Sequence, residues 1–433
     1  MNIYWAKIIE TSGARIYGLA AGMVSLFITA RLLGPEGRGT LAAVTSWVAL
    51  FALFSGLSLG QVAQYRIQIR RDEEWLPGLL GMLAASGTVL SAVALLGALL
   101  AYVTTGGDFF KGIPPTLLVI GFAMLPFLIG EEYGASLLTA VGLLRVYNIA
   151  LVIGRTLAVV SVIVLVYFVG LGVRGALVAQ VMGQALVAII LLEALRRKAR
   201  GSLRLELPEL VPLIKGAAKL HFNSIGVFFL GQATILMLNH FSSKAEIGWY
   251  QLSYQLMTML LVIPQAASAV LFSKMAEIGP DRLWSDQKKF GLRLLALMLL
   301  LLLTAYFAAP IAITWFAGPL FEPCVRIFRL LLPVLFSMSL AVFMTNQWIG
   351  RGIFLPTTLL TFATALVNVS LNLYAIPRYG AEGAAWSMLI SFVGVSLGVQ
   401  LIFAVYCERQ SRIAASGLPL GLDDRTSERE CNG

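Results

Sequence analysis

The chain has 433 residues, of which 58% are hydrophobic and only 12% charged, with a mean hydropathy of +0.84. A soluble domain carries about 25% charged residues, so a soluble multidomain protein is excluded, and two histidines leave almost no room for a histidine-based metal site. The formal charge of +10 sits in basic residues scattered between apolar runs, a pattern that reads as membrane topology and not as a nucleic-acid-binding patch.

Twelve apolar runs follow one another along the chain, at about 13–33, 40–64, 78–103, 114–140, 147–169, 173–195, 212–240, 248–273, 290–315, 325–350, 355–376 and 383–406. Each is long enough for a bilayer core about 30 Å thick, which needs ~20 helical residues. The first, counted from about 15, is too long for a signal-peptide core and runs into RLLGPEG, not a small-residue cleavage site. It reads as a retained first helix. From about 409 the chain turns polar (ending GLDDRTSERECNG) and reads as a disordered tail. Cys324, Cys407 and Cys431 form neither a CxxC motif nor a disulfide framework.

Lysine and arginine set the orientation. With the N-terminus in the cytoplasm, 23 basic residues fall on the inner side and 8 on the outer, while Arg155 lies within a span and completes the 32. Both termini are therefore expected in the cytoplasm. The basic loop around 194–212 divides the chain into a six-helix lobe (1–200), a cytoplasmic linker (201–211), a second six-helix lobe (212–408) and a tail (409–433). The halves repeat weakly. Gly39 after the first span matches Gly248 after the seventh, at an offset of 209, and Gly172 and Gly175 match Gly380 and Gly383 at 208. Six spans per half make the repeats parallel, with a cavity expected between the lobes.

Several intramembrane residues have the chemistry to handle a polar, anionic cargo. Arginine matches phosphate and stays charged, and a charge inside the bilayer is costly enough to be functional by default. Arg155 in span five, and Glu131 and Glu132 in span four, sit at similar depth, roughly 12–15 Å from the inner face. They read either as a charged, ion-coupling site or as a structural Glu–Arg pair. Arg15 and Arg31 bracket span one and Arg66 closes span two, so each could bind pyrophosphate at a cavity mouth or snorkel to the interface. Asn223, Gln232, Gln251, Tyr254 and Gln255 make spans seven and eight rich in polar groups, with Gln251 and Gln255 on one face. These could bind sugar or hold helices together. The GxxxG pairs Gly18/Gly22 and Gly56/Gly60 predict close helix packing, and Pro126, Pro264 and Pro333 predict bends.

Three stretches, RLLGPEGRGTLA at 31–42, EIGWYQLSYQLMTMLLVIPQAASAVLFSKMAE at 246–277 and NVSLNLYAIPRYGAEGAAW at 368–386, resemble the polysaccharide flippases of the multidrug/oligosaccharidyl-lipid/polysaccharide exporter superfamily. The resemblance implies an all-α fold of about twelve transmembrane helices, in two lobes forming a V, with a cavity lined by spans 1, 2, 7 and 8. It implies alternating access that flips a lipid-linked oligosaccharide from the cytoplasmic to the outer face for cell-surface polysaccharide synthesis. The implied partners are the lipid-linked glycan, membrane lipids, and a polymerase and glycosyltransferases of the same pathway, with no nucleic acid, cofactor or metal. One departure stands out: members often carry an acid in span seven about where Thr234 sits, so cation coupling at that position is in doubt. The rival readings are a multidrug or cation antiporter of the same superfamily, and a membrane polysaccharide polymerase, an enzyme that would need larger outer loops than the ~10 residues available here. No phosphate-binding loop of a primary pump is present.

Overall fold

A computed structural model describes residues 3–70, 76–199 and 207–415; among the expected site residues, the side chains of Arg15 and Asn223 lie outside what it describes. Every regular element among the described residues is helical. The first half contains α1 (Ile3–Gly56), α2 (Leu59–Arg70), α3 (Leu76–Thr105), α4 (Pro115–Phe122), α5 (Leu125–Ala140), α6 (Leu144–Val162) and α7 (Gly172–Ala199). The second contains α8 (Leu207–Gly231), α9 (Ala233–Phe241), α10 (Lys244–Leu260), α11 (Val262–Ile278), α12 (Pro280–Ala317), α13 (Pro323–Gly350), α14 (Phe354–Leu389) and α15 (Gly398–Ala415).

Two apolar stretches are too long for one crossing. Ile16–Gly56 and Phe354–Ala414, with 41 and 61 residues, would measure roughly 60 Å and 90 Å as straight helices. Each folds back at a glycine that leaves the helical region: Gly34 at φ 65° and Gly380 at φ 53°. Contacts across each glycine require the reversal. Arg38 Nη1 donates to Thr29 Oγ1 at 3.0 Å, and Asn368 Nδ2 donates to Ser391 Oγ at 3.2 Å. Nine helices among the described residues are long and apolar enough to cross a membrane, and Ser224–Gly231 with Ala233–Phe241, bent by 43°, makes a tenth. Dividing the two long stretches at Gly34 and Gly380 gives twelve crossings, arranged as two six-helix lobes in a V.

Some local expectations need correction. Span two begins at Pro35 and not near residue 40, because proline is well suited to the first turn of a helix and only Gly34 is needed for the turn. Span two is then broken near its other end, where Leu57 and Ser58 take φ of 47° and 53°. Gly18 and Gly22 pack on nothing, whereas Gly60 does approach the Tyr133 backbone closely, at 3.0 Å from an added Cβ. Pro126 and Pro264 do sit just after helix breaks, but Pro333 lies inside an uninterrupted α13. The last helix continues to Ala415, past the expected start of a polar tail, held by Arg412 and Lys288 against Glu408 at 3.0 and 2.9 Å. Residues 416–433 lie outside the described chain.

The weak internal repeat has a conformational counterpart. Gly172 and Gly380 both take left-handed φ, 56° and 53°, at the turn into the last helix of each lobe. Their partners Gly175 and Gly383 each pack against a carbonyl of the preceding helix, Leu165 and Ala375. One apolar core runs through both lobes, and a smaller cluster around Trp348 and Phe403 fills the end of the second. Large apolar side chains such as Leu96, Leu100, Leu300 and Ile402 are more than half exposed. That surface suits lipid and not water.

Candidate functional site

The two lobes meet where the turn into span two touches the turn into span eight. A Cβ on Gly39 would overlap the carbonyl oxygen of Lys244, and a Cβ on Gly248 would overlap that of Pro35. Each glycine thus packs on the residue four positions before the other, so the contact obeys the two-fold relation of the repeat. Neighbouring groups reinforce it. Lys244 Nζ donates to Lys111 O at 3.2 Å and to Asn239 Oδ1, while Asn239 Nδ2 donates to Phe110 O at 3.4 Å. Phe27 of span one stacks on Phe316 of α12 with centroids 4.6 Å apart.

Beneath this contact lies Arg38, one helical turn into span two and only 6% exposed. Nη1 donates to Thr29 Oγ1 of span one at 3.0 Å. Nη2 reaches across the lobe boundary to Gln251 Oε1 and to Gln255 Oε1, the latter at 3.2 Å, and Gln251 Nε2 donates to Gln255 Oε1 at 2.8 Å. The two glutamines lie one turn apart on α10, so both amides face the same guanidinium. Nε is buried without a partner, and no carboxylate forms an ion pair with Arg38 among the described residues. A permanent charge is therefore held out of water by neutral acceptors alone, an expensive arrangement that an arriving anion would relieve.

Further along the same seam, Ser46 of span two donates to Gln232 Oε1 at 2.9 Å, at the bend between α8 and α9. Tyr254 stacks parallel to Tyr250 at 6.1 Å and its hydroxyl lies against Gly231. At the far end Ser58 approaches His221 and Ser224 at 3.4 Å each. The fold thus brings Gln232, Gln251, Tyr254 and Gln255 onto one seam and adds Thr29, Arg38 and Ser46. Arg38 lies inside the membrane segment because span two starts at Pro35, ahead of it, and not near residue 40. The signal that could have placed it inside was Pro35 beside Gly34, which marks a one-residue turn and a helix start.

The other arginines stand apart. Arg31 is exposed next to the Gly34 turn, and Arg66 is half-buried on α2. Arg155 is exposed on α6, beside Thr156, whose hydroxyl bonds Tyr17 of span one at 2.6 Å. The structural pairing of Arg155 with Glu131 or Glu132 is not formed. Glu131 accepts from Gln184 of α7, and the Glu132 carboxylate turns toward Gly56. The two acids diverge because neighbours on a helix differ by about 100°. Arg155→Lys is accordingly expected to fold like the parent, within about 0.5 kcal/mol by thermal unfolding in detergent. A loss of several kcal/mol would restore the structural pairing.

A second polar cluster is entirely internal to the C-terminal lobe. Asn372 Nδ2 donates to Thr234 Oγ1 at 3.1 Å and to Asn368 Oδ1 at 3.0 Å; Asn368 Nδ2 donates to Ser391 Oγ. All four residues are at most 1% exposed, and Asn372 Oδ1 has no partner. The cluster holds no carboxylate, and no group of three or more metal-ligating side chains exists among the described residues. Thr234→Val removes the hydroxyl while conserving shape, so a destabilisation of about 1 kcal/mol is expected from thermal unfolding. An unchanged melting temperature would show that these bonds hold nothing.

Residues 4–278 match the model of the polysaccharide biosynthesis protein family. No curated protein matches the sequence. Among solved structures the fold is similar to the lipid II flippase MurJ in an inward closed conformation, with a TM-score of 0.73 at 12% identity, covering 92% of this chain and 87% of that one. It is also similar to an inward-facing multidrug resistance MATE family transporter of the MOP superfamily, with a TM-score of 0.69 at 16% identity over 92% and 96% of the two chains. A MOP superfamily transporter from Pyrococcus furiosus gives 0.60 at 16% identity over 94% and 96%.

Proposed function

We propose that this chain, which belongs to the polysaccharide biosynthesis protein family and is a multi-pass membrane transporter, flips a lipid-linked oligosaccharide from the cytoplasmic to the outer face of the inner membrane. Both termini lie in the cytoplasm in this reading, as the 23-to-8 distribution of basic residues favours. The observation that carries it is Arg38, an uncompensated guanidinium at the junction of the lobes, surrounded by amides and a hydroxyl. A sugar-pyrophosphate head needs a cation that cannot lose its proton and neutral groups for its hydroxyls. The seam from Arg38 to Gln232 supplies both on spans 1, 2, 7 and 8.

The paired glycines close the outer end in this proposal, and the head enters from the cytoplasm with its lipid tail left in the bilayer. Arg38 is the far stop of the path, and Arg31 and Arg66 serve its outer and inner mouths. A cation antiporter is the second reading. The neutral Thr234–Asn368–Asn372 cluster weighs against it, because a coupling cation would need buried carboxylate there; Glu131 and Glu132 remain the acids able to serve it. A polymerase fits less well, because the outer loops are too short to carry a catalytic site.

The test is where lipid-linked glycan accumulates after the gene is deleted. Build-up on the inner face with synthesis intact is the expected result, reversed by the parent chain and not by Arg38→Leu. Unpolymerised glycan on the outer face would make the protein a polymerase, and no change in any glycan would put the antiporter first.

A further inference from the structure

An open cleft of about 1230 Å3 lies between the end of α12 and the start of α13, bordered by Tyr306, Pro310, Trp315, Glu322, Arg326 and Arg329. Its chemistry begins with Pro310, inside α12. Proline has no amide hydrogen, so the carbonyl four residues earlier, on Tyr306, loses its helical donor. Arg329 supplies the replacement: its Nε donates to Tyr306 O at 3.1 Å and its guanidinium lies 4.3 Å from the Tyr306 ring centre. One nitrogen and one face are thereby fixed. The two terminal nitrogens have no protein acceptor among the described residues, and they border the cleft.

Arg326 lies three residues earlier on the same helix face. It pairs with Glu382 at 3.1 Å while its side chain stays 72% exposed. Arg329 is about 9 Å along α13 from its first residue, Pro323. That depth is near the boundary between head groups and hydrocarbon, and Trp315, two residues before the end of α12, fits as an interfacial aromatic. Ile311 and Leu330 provide an apolar wall beside the two cations. Water alone would not need such a wall, and a pure hydrocarbon would not need two guanidinium groups.

We propose that this cleft binds a membrane phospholipid, with the head-group phosphate on Arg326 and Arg329 and the chains along Ile311 and Leu330. Glu322 at the border accepts from a head-group ammonium, which makes phosphatidylethanolamine the fitting class. The site is separate from the seam at Arg38. It is tied to the lobe contact through Phe316 stacked on Phe27 and through Trp249 Nε1, which donates to Leu320 O at 3.0 Å.

The test is lipid retention by native mass spectrometry of the full chain in detergent. The probes are phosphatidylethanolamine, diacylglycerol with the same chains, and inorganic phosphate. The parent should retain one phosphatidylethanolamine and no diacylglycerol. Arg326→Ala should weaken retention about fivefold, and Arg326→Ala with Arg329→Ala about 25-fold, since each interfacial arginine contributes roughly that factor. Arg378→Ala is the control: it bonds Tyr374 O at 2.8 Å and lies 3.9 Å over that ring, the same contact without a cleft. It should change nothing. Because Arg329 also satisfies a carbonyl, the exposed Arg326→Ala decides the matter if the double variant fails to fold. Equal retention of diacylglycerol, or unchanged retention in Arg326→Ala, overturns the proposal. So does binding of inorganic phosphate alone.

Discussion

Arg38→Leu is expected to cut glycan translocation by roughly 30-fold or more while leaving the protein folded. The loss follows from removing one member of a desolvated charge pair with the anionic head, about 2 kcal/mol or above. The fold is expected to be weakened but retained, because the opposing terms partly offset. The substitution gives up three hydrogen bonds from a charged donor, each worth about 1.5–3 kcal/mol. It also removes a charge whose placement inside a membrane costs about 2.5–3.5 kcal/mol or more, together with the orphaned Nε. Gln255 Oε1 keeps its bond from Gln251. Arg38→Lys should be intermediate, since one ammonium cannot reach Thr29, Gln251 and Gln255 in the fixed fork geometry of a guanidinium. Thermal unfolding and a translocation assay on the same preparations separate the two effects. A variant that melts far below the parent would make Arg38 a structural strut, and full transport by Arg38→Leu would remove it from the path.

Gly39→Leu and Gly248→Leu are each expected to trap the transporter with its outer end open. A side chain at either position overlaps a backbone carbonyl of the opposite lobe, which no rotamer change can avoid. Inverting a 99:1 population takes about 5.5 kcal/mol, and an overlap with main-chain atoms exceeds that. Transport should stop. A cysteine at Thr29, 2% exposed in the closed arrangement, should become reactive to an impermeant maleimide added from outside. Cys324 and Cys407 are buried, and Cys431, outside the described residues, is replaced by serine so that it takes no label. Combining the two substitutions should add little, because they block one contact and act as neighbours and not as independent sites. Unchanged labelling with transport intact would mean that the lobes do not separate here.

Much of the architecture was legible without coordinates. Length, hydropathy and loop charge determine a twelve-span membrane protein, because a bilayer of fixed thickness selects apolar runs near 20 residues and leaves the rest polar. The glycine offsets 39/248 and 172/380 disclosed the repeat, since glycine adopts the left-handed φ of 56° and 53° without the cost other residues meet, and only glycine allows so close a backbone approach. Gln251 and Gln255 could be read as one polar face because i, i+4 spacing aligns them.

What the sequence could not determine was which charged side chains meet. Arg155 and Glu131 share a depth in adjacent helices, yet rotation about the helix axes sends Glu131 to Gln184 and leaves Arg155 exposed. Arg38 looked like a loop residue until the chain reversed within Gly34 and carried it one turn inside, under the opposite lobe. Depth follows from counting residues along one helix. Partnership depends on the azimuth of two helices and on contacts 213 positions apart in the chain, and only the tertiary packing fixes those.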